Sequence, residues 1–284
     1  MMDQSQQYDI RPDVLSAEDI ANMAPPLKNH PKIIRFLMKF LSIDKVNKIH
    51  SDNCKTPGWE FCQGVLNDLD IKLRIDNEQV LDNLPEGAFI TVSNHPFGAM
   101  DGITLINIIG RRRPRFKVMV NMILNYISAM RPNFIAVDAL ASDDPAKKAV
   151  SMRGMKEAIM QVRRGDPIGF FPAGAVSKVN RRLRLEDREW QPSIIRLIKQ
   201  LNVPVIPIFF HGSNSWWFNF LGVVCWQLRT LRLPAEVFNR HGDTLHVSVG
   251  DPISVDELKA HSDSIEELGR FIKGRTYELR DRYK

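Results

Sequence analysis

Cysteine is scarce in this chain: Cys54, Cys62 and Cys225 are its only three. The set is odd and has no metal-ligand spacing, which argues against a disulfide framework and a cysteine-built metal centre. A reducing compartment with inert thiols is the expectation. Missing too is an apolar run of the about 18–20 residues that a membrane-crossing helix needs. Residues 1–13 are polar and lack a basic stretch followed by an apolar one, so no secretory signal is expected. There is no internal repeat or low-complexity segment, and no metal site is suggested by ligand spacing.

What is present is ordinary in amount and basic in balance. Hydrophobic residues make up 44% and charged residues 25% of 284, enough for one large or two small domains with a substantial core. Lys and Arg total 39 against 33 Asp and Glu, a net charge of +6. That excess suits an acidic partner: nucleic acid, an anionic membrane surface or an acidic carrier protein.

Residues 1–30 are polar and proline-containing and read as an arm. Residues 31–47 read as a helix in which Ile33, Phe36, Leu37, Phe40 and Leu41 share a face, with Lys32, Arg35 and Lys39 roughly opposite. Such a face either packs on the core or lies in a membrane interface, and both readings stay open. From residue 70 onward strand-like runs (71–75, 88–92, 116–120, 134–137, 168–171, 203–210 and 245–249) alternate with helical ones (103–109 and 145–164). The expected fold is α/β: a mostly parallel central sheet flanked by helices, with a helical N-terminal extension over 1–70 and the main domain over 71–284. In such sheets the loops beyond the strand carboxyl ends build the site.

The strongest local signal runs from Ser93 through Asn94, His95, Pro96, Phe97, Gly98, Ala99, Met100 and Asp101 to Gly102. His95 directly follows a buried-strand candidate. Asp101 lies six residues on and can return to it if Gly98 turns the chain. A carboxylate that holds one imidazole nitrogen as N–H leaves the other free as a base. The plainer reading is a loop histidine beside an unrelated helix-capping aspartate.

Asn94, His95 and Asp101 resemble the first motif of the glycerolipid acyltransferase family, which includes the lysophosphatidate acyltransferases. The family usually has four residues between His and Asp; here there are five. Phe171, Pro172, Ala173, Gly174, Ala175, Val176 and Ser177 resemble its Phe-Pro-Glu-Gly-Thr-Arg-Ser loop. Residues 203–208 resemble its proline-containing strand and 133–137 its second motif. The resemblance runs from about residue 71 to 253 and implies a His-Asp dyad that activates an acceptor hydroxyl against an acyl thioester. It also implies a substrate site at Asn94, Gly98, Phe171, Pro172, Gly174, Ser177 and Lys178.

The departures bear on the acceptor. Where relatives hold a phosphate with arginine, this chain has Val137 or Asp138, and its loop has Ala173 and Val176 in place of Glu and Arg. Apolar side chains cannot make charge-assisted contacts to phosphate. Lys178, Arg181, Arg182 or Arg184 is the alternative source of that charge. A phosphate-free acceptor fits the haemolysin-like branch, which the stretch from Asn94 to Gly102 resembles. That branch includes bacterial ornithine and glycine lipid O-acyltransferases, whose acceptor is a lyso-aminolipid. The expected mechanism takes His95 as general base and Asp101 as its orienting partner. Ser93 and Ser177 lie in no Gly-x-Ser-x-Gly elbow, so neither is expected as a nucleophile. Ser177 is read as a hydrogen-bond donor to substrate, and the N–H groups around Gly174 as oxyanion donors.

His211 follows the strand 203–210 and is a second candidate for the pocket, with a structural role as its alternative. His30, His50, His241, His246 and His261 belong to no constellation and read as surface or loop residues. Residues 215–228 hold Trp216, Trp217 and Trp226 and read as an interfacial docking segment or a buried one. Membrane contact is therefore expected at Phe36, Phe40, Trp216 and Trp217. Basic clusters at 111–117, 163–164 and 178–184 lack the aromatic platforms of nucleic-acid binders, so nucleic acid is not expected. They suit anionic lipid or an acyl carrier protein. The donor, acyl carrier protein or coenzyme A thioester, is a substrate, and no cofactor is expected. The expected location is the cytoplasmic face of the inner membrane, peripheral or monotopic. The rival readings are a lysophosphatidate acyltransferase, a non-catalytic lipid-binding protein, and a thioesterase or lipase.

Overall fold

The computed structural model describes residues 9–138, 144–179, 185–224 (backbone only over 222–224), 229 and 232–282. In chain order the strands are β1 (Lys72–Asp76), β2 (Ile90–Ser93), β3 (Lys117–Asn121), β4 (Phe134–Val137), β5 (Ile168–Phe170), β6 (Lys178–Val179), β7 (Leu185–Glu186), β8 (Val205–His211) and β9 (Thr244–Val249). The helices are α1 (Ala17–Met23), α2 (Pro31–Phe40), α3 (Ile43–Asn53), α4 (Trp59–Asp68), α5 (Gln79–Asp82), α6 (Ala99–Gly110), α7 (Pro145–Arg163), α8 (Pro192–Leu201), α9 (Trp216–Val224), α10 (Leu233–Phe238), α11 (Val255–Ala260) and α12 (Ile265–Arg282).

Seven strands form one sheet in the order β1-β9-β8-β2-β5-β3-β4, and β6 pairs with β7 as a separate two-stranded ribbon. Every neighbouring pair in the large sheet is parallel except β8 and β9. The mostly parallel sheet is as expected, with one antiparallel joint that sets β1 and β9 against the other five strands.

Side-chain alternation along the strands separates two cores. Ile206, Ile208 and Phe210 of β8 join Val247 and Val249 of β9, Phe61, Val65 and Leu66 of α4, and Leu105, Ile106 and Ile109 of α6. On the other face Ile90 and Val92 of β2 and Ile168 and Phe170 of β5 meet Ala158 and Val162 of α7. Ile195 and Ile198 of α8 and Leu268 and Ile272 of α12 complete that layer. α6 is buried almost all round, as its run of Ile, Leu and Met side chains requires.

The helix expected over 31–47 is two helices. Ser42 adopts a left-handed conformation with φ of 60° and separates α2 from α3. Of the two readings left open for the apolar face of α2, core packing does not hold: a different pair of side chains is buried. Ile34 and Met38 enter a small cluster with Ala21 and Ile43, whereas Ile33, Phe36 and Phe40 are exposed. α2 is apolar over more than one face, and the cluster admits only one. His50 was expected at the surface but is buried. Its Nδ1 lies 2.8 Å from Pro12 O and its Nε2 accepts from Ala129 N–H at 3.3 Å, so the ring ties Pro12 to Ala129. Burial pulls its pKa below the ordinary imidazole value.

Candidate active site

Each end of the first motif is fixed by backbone chemistry. β2 is fully buried, and Asn94 continues it toward β8. Its Nδ2 donates to Phe210 O at 2.9 Å and its Oδ1 accepts from Phe210 N–H at 2.7 Å. Asn94 was expected at the substrate; both ends of its amide are instead taken up in holding β2 to β8. Gly98 is the N-cap of α6 with φ of 78°, and a Cβ there would meet Leu233 Cδ2 at 2.9 Å. Only glycine fits that turn and that approach.

The turn returns Asp101 to His95. Asp101 is fully buried, and its Oδ2 accepts from the N–H groups of Phe97 at 2.8 Å and Gly98 at 2.9 Å. It is the N3 residue reaching back to the helix start, a capping role. The same Oδ2 lies 2.9 Å from His95 Nδ1, a close approach that is not aligned as a hydrogen bond. Asp101 thus caps α6 and touches the histidine, uniting the two readings of the sequence. Burial raises its carboxyl pKa above the usual carboxylate range, against the opposing pull of His95 and the two N–H donors. The His95 side chain is 19% exposed, and its ring packs 4.3 Å from that of Phe171, so one motif touches the other.

The third-motif loop is held to His95 through a residue the sequence did not single out. Ser177 N–H donates to His95 O at 2.8 Å. Ser177 Oγ donates to Asp187 Oδ1 at 2.6 Å, and that oxygen also accepts from His95 N–H at 3.2 Å. Asp187 Oδ2 accepts from Trp190 Nε1 at 3.2 Å, and Asp187 N–H donates to Tyr277 Oη at 3.0 Å. The Ser177 hydroxyl, expected to donate to substrate, is donated to Asp187. Gly174 N–H closes a turn on Phe171 O at 2.9 Å, so neither it nor Ser177 N–H is an oxyanion donor. Gly174 has φ of 63°, and a Cβ there would strike the Gln191 side chain. Pro172 is buried and its carbonyl accepts from Gln191 N–H at 2.9 Å, while Lys178 is exposed on β6.

Residues 18–284 match a family model described as acyltransferase. The chain belongs to the acyltransferase family. A lyso-glycine lipid O-acyltransferase of Bacteroides thetaiotaomicron is 29% identical over 258 residues, covering 87% of this chain and 89% of that protein. A protein of the same name from Phocaeicola vulgatus is 26% identical over 270 residues, covering 89% and 90%. The crystal structure of the 1-acyl-sn-glycerophosphate (LPA) acyltransferase PlsC of Thermotoga maritima aligns with 79% of this chain and 83% of its own, at 13% identity and a TM-score of 0.48.

Other expected positions in this acyltransferase fall away from His95. His211 is one residue out of phase with Phe210, whose ring reaches toward Phe171 at 6.5 Å. Alternation turns His211 to the opposite sheet face, where it stacks on His246 at 4.0 Å. It does not line the His95 pocket, and His246, expected to stand alone, has His211 and Asp76 as neighbours. The basic cluster at 111–117 is largely satisfied within the chain. Arg112 pairs with Asp82 at 2.6 Å, Arg115 with Asp166 at 2.7 Å and Lys117 with Glu157 at 2.8 Å. Arg113 donates to the carbonyls of Gly87 and Gly165. A cleft of about 260 Å³ lined by Lys117, Arg153, Lys156 and Arg164 lies at the amino ends of the strands, the opposite rim from His95. Val137 is half-buried, and Ala173 and Val176 are buried and apolar. Arg181, Arg182, Arg184, Cys225 and Trp226 lie outside the described residues. Among those residues no helix is long and apolar enough to cross a membrane.

Proposed function

We propose that this acyltransferase moves a fatty acyl group from a thioester to the hydroxyl of a lyso-glycine lipid. The observation that carries the acceptor is likeness to two lyso-glycine lipid O-acyltransferases over nearly nine-tenths of the chain. The apolar Val137, Ala173 and Val176 support it, because none can answer a phosphate.

In this reading His95 takes the proton of the acceptor hydroxyl as its oxygen bonds to the thioester carbonyl carbon. Asp101 orients the ring and stabilises the imidazolium. The tetrahedral intermediate then collapses, the carbon–sulfur bond breaks, and the imidazolium returns the proton to the leaving thiolate. Of residues 173–177, the N–H groups with no acceptor among the described residues, and so left for the oxyanion, are those of Ala173, Ala175 and Val176. Acyl carrier protein and coenzyme A thioesters are both candidate donors.

Purified protein with acyl thioester is expected to convert lyso-glycine lipid to its O-acylated product, read by mass spectrometry, and to leave lysophosphatidate unchanged. Acylation of lysophosphatidate alone would replace this reading with its rival. Free fatty acid formed without acceptor dependence would make the protein a thioesterase.

Two exposed aromatic patches suit docking on a membrane, on the cytoplasmic face where such thioesters are made. Phe36 and Phe40 are 66% and 58% exposed and stack on each other. Trp216 is 74% exposed and stacks on Phe220 beside Trp217. Burying a large apolar side chain contributes about 1.5–3 kcal/mol, and about 1.4 kcal/mol is tenfold in partition. Phe36→Ser with Phe40→Ser, and separately Trp216→Ser with Trp217→Ser, should each lower co-sedimentation with anionic liposomes at least about tenfold at an unchanged melting temperature. Undiminished binding in both variants would remove the patches from the membrane.

A further inference from the structure

A second cluster of chemistry-bearing side chains lies on the sheet face turned away from the His95 side. Asp76 ends β1, His211 ends β8, and His246 and Ser248 lie on β9. The ladder places them together: Asp76 pairs with Ser248, and His211 with His246. A ring nitrogen of each histidine and a carboxylate oxygen of Asp76 all lie within 4.8 Å of one another. His211 Nε2 is 2.7 Å from Ser248 Oγ, which donates to Asp76 Oδ2 at 3.0 Å. His246 Nε2 contacts the same Oδ2. Arg74 Nε sits 3.7 Å from the other oxygen, Oδ1, so Oδ2 is the oxygen turned to the rings.

We propose that Asp76, His211 and His246 form a binding site for one divalent transition-metal ion. Two imidazoles and one carboxylate are a borderline donor set that suits zinc and its neighbours, in contrast to the all-oxygen sets of magnesium and calcium. The three donors come from three hydrogen-bonded strands, so their backbone positions are already fixed. All three side chains are half-buried, which leaves a route for an ion and a fourth position for water or the Ser248 hydroxyl. Tetrahedral ligands stand about 3.3 Å apart at zinc bond lengths, so small side-chain rotations open the hydrogen-bonded cluster around an ion. The ion would tie edge strand β1 and its neighbour β9 to β8 across the one antiparallel joint. It would take no part in chemistry at His95, on the other side of the sheet.

The test uses full-length protein stripped with chelator and titrated with zinc in a calorimeter, and with cobalt by visible absorption. One equivalent should bind, with cobalt bands of low-symmetry nitrogen and oxygen coordination and a raised melting temperature. His211→Ala and His246→Ala should each weaken binding by more than the about 10–100-fold that loss of an outer-shell partner costs. Asp76→Asn, whose one oxygen can still accept from Ser248 Oγ, should also weaken it if an alanine variant fails to fold. No stoichiometric binding by the wild type, or binding that survives in the folded variants, would overturn the site and leave a hydrogen-bonded staple.

Discussion

His95→Ala should abolish acyl transfer while the protein stays folded. A positioned general base is worth between about 100- and 10,000-fold in rate, so kcat should fall by that factor. Loss of the ring leaves the fold's main supports in place. The backbone N–H and C=O of His95 still meet Asp187 and Ser177. Asp101 still accepts from Phe97 and Gly98. Melting temperature and circular dichroism are therefore expected near those of the wild type, with thioester binding retained. Asp101→Asn separates the two roles of that carboxylate. An asparagine oxygen can still cap α6, but it carries no charge for the imidazolium. Its kcat should drop by a similar factor with a modest change in stability. Transfer at wild-type rate by His95→Ala would remove the dyad from the mechanism whatever the acceptor proves to be.

How far the site could be read from the sequence follows from the range of each interaction. His95 and Asp101 are six residues apart across a glycine turn, and local pattern suffices to pair them. β4 was equally local, signalled by an apolar run, and α7 begins at Pro145 as read, behind Asp144 as N-cap. The face of His211 was readable too, since its neighbour Phe210 shares the phase of Ile206 and Ile208. The partners of the 111–117 cluster lie tens of residues away at Asp82, Glu157 and Asp166, and a charge run carries no trace of them. The antiparallel joint was hidden for a related reason: β9 reads as an ordinary buried strand, and its direction is set by how α10 and the following turn bring the chain back. The exposed face of α2 shows the converse limit. Periodicity reports that a helix is apolar, and the size of the cluster beneath decides how much of it is covered.

Asp187 was the least legible residue and is expected to matter next to the dyad itself. It lies ten residues beyond Ser177 and belongs to no periodic element. Its carboxylate accepts from three donors: Ser177 Oγ, His95 N–H and Trp190 Nε1. Through it the histidine loop and the third-motif loop share one support, and the Ser177 N–H to His95 O bond closes the ring. Asparagine at this position offers one acceptor oxygen and turns an NH₂ toward a donor. At least one buried donor then loses its partner, at about 1–3 kcal/mol each. Asp187→Asn should lower the melting temperature and, by letting the His95 ring drift from the thioester, reduce kcat about 100-fold. A positioning role predicts that kcat falls more than KM rises. Trp190→Phe is the control, because it removes a donor from the far oxygen and leaves both His95 and Ser177 bonded. It should cost stability yet keep kcat within a few-fold. If the two variants lose kcat in proportion to stability, Asp187 merely holds the fold; if only Asp187→Asn loses it, the carboxylate sets where the base stands.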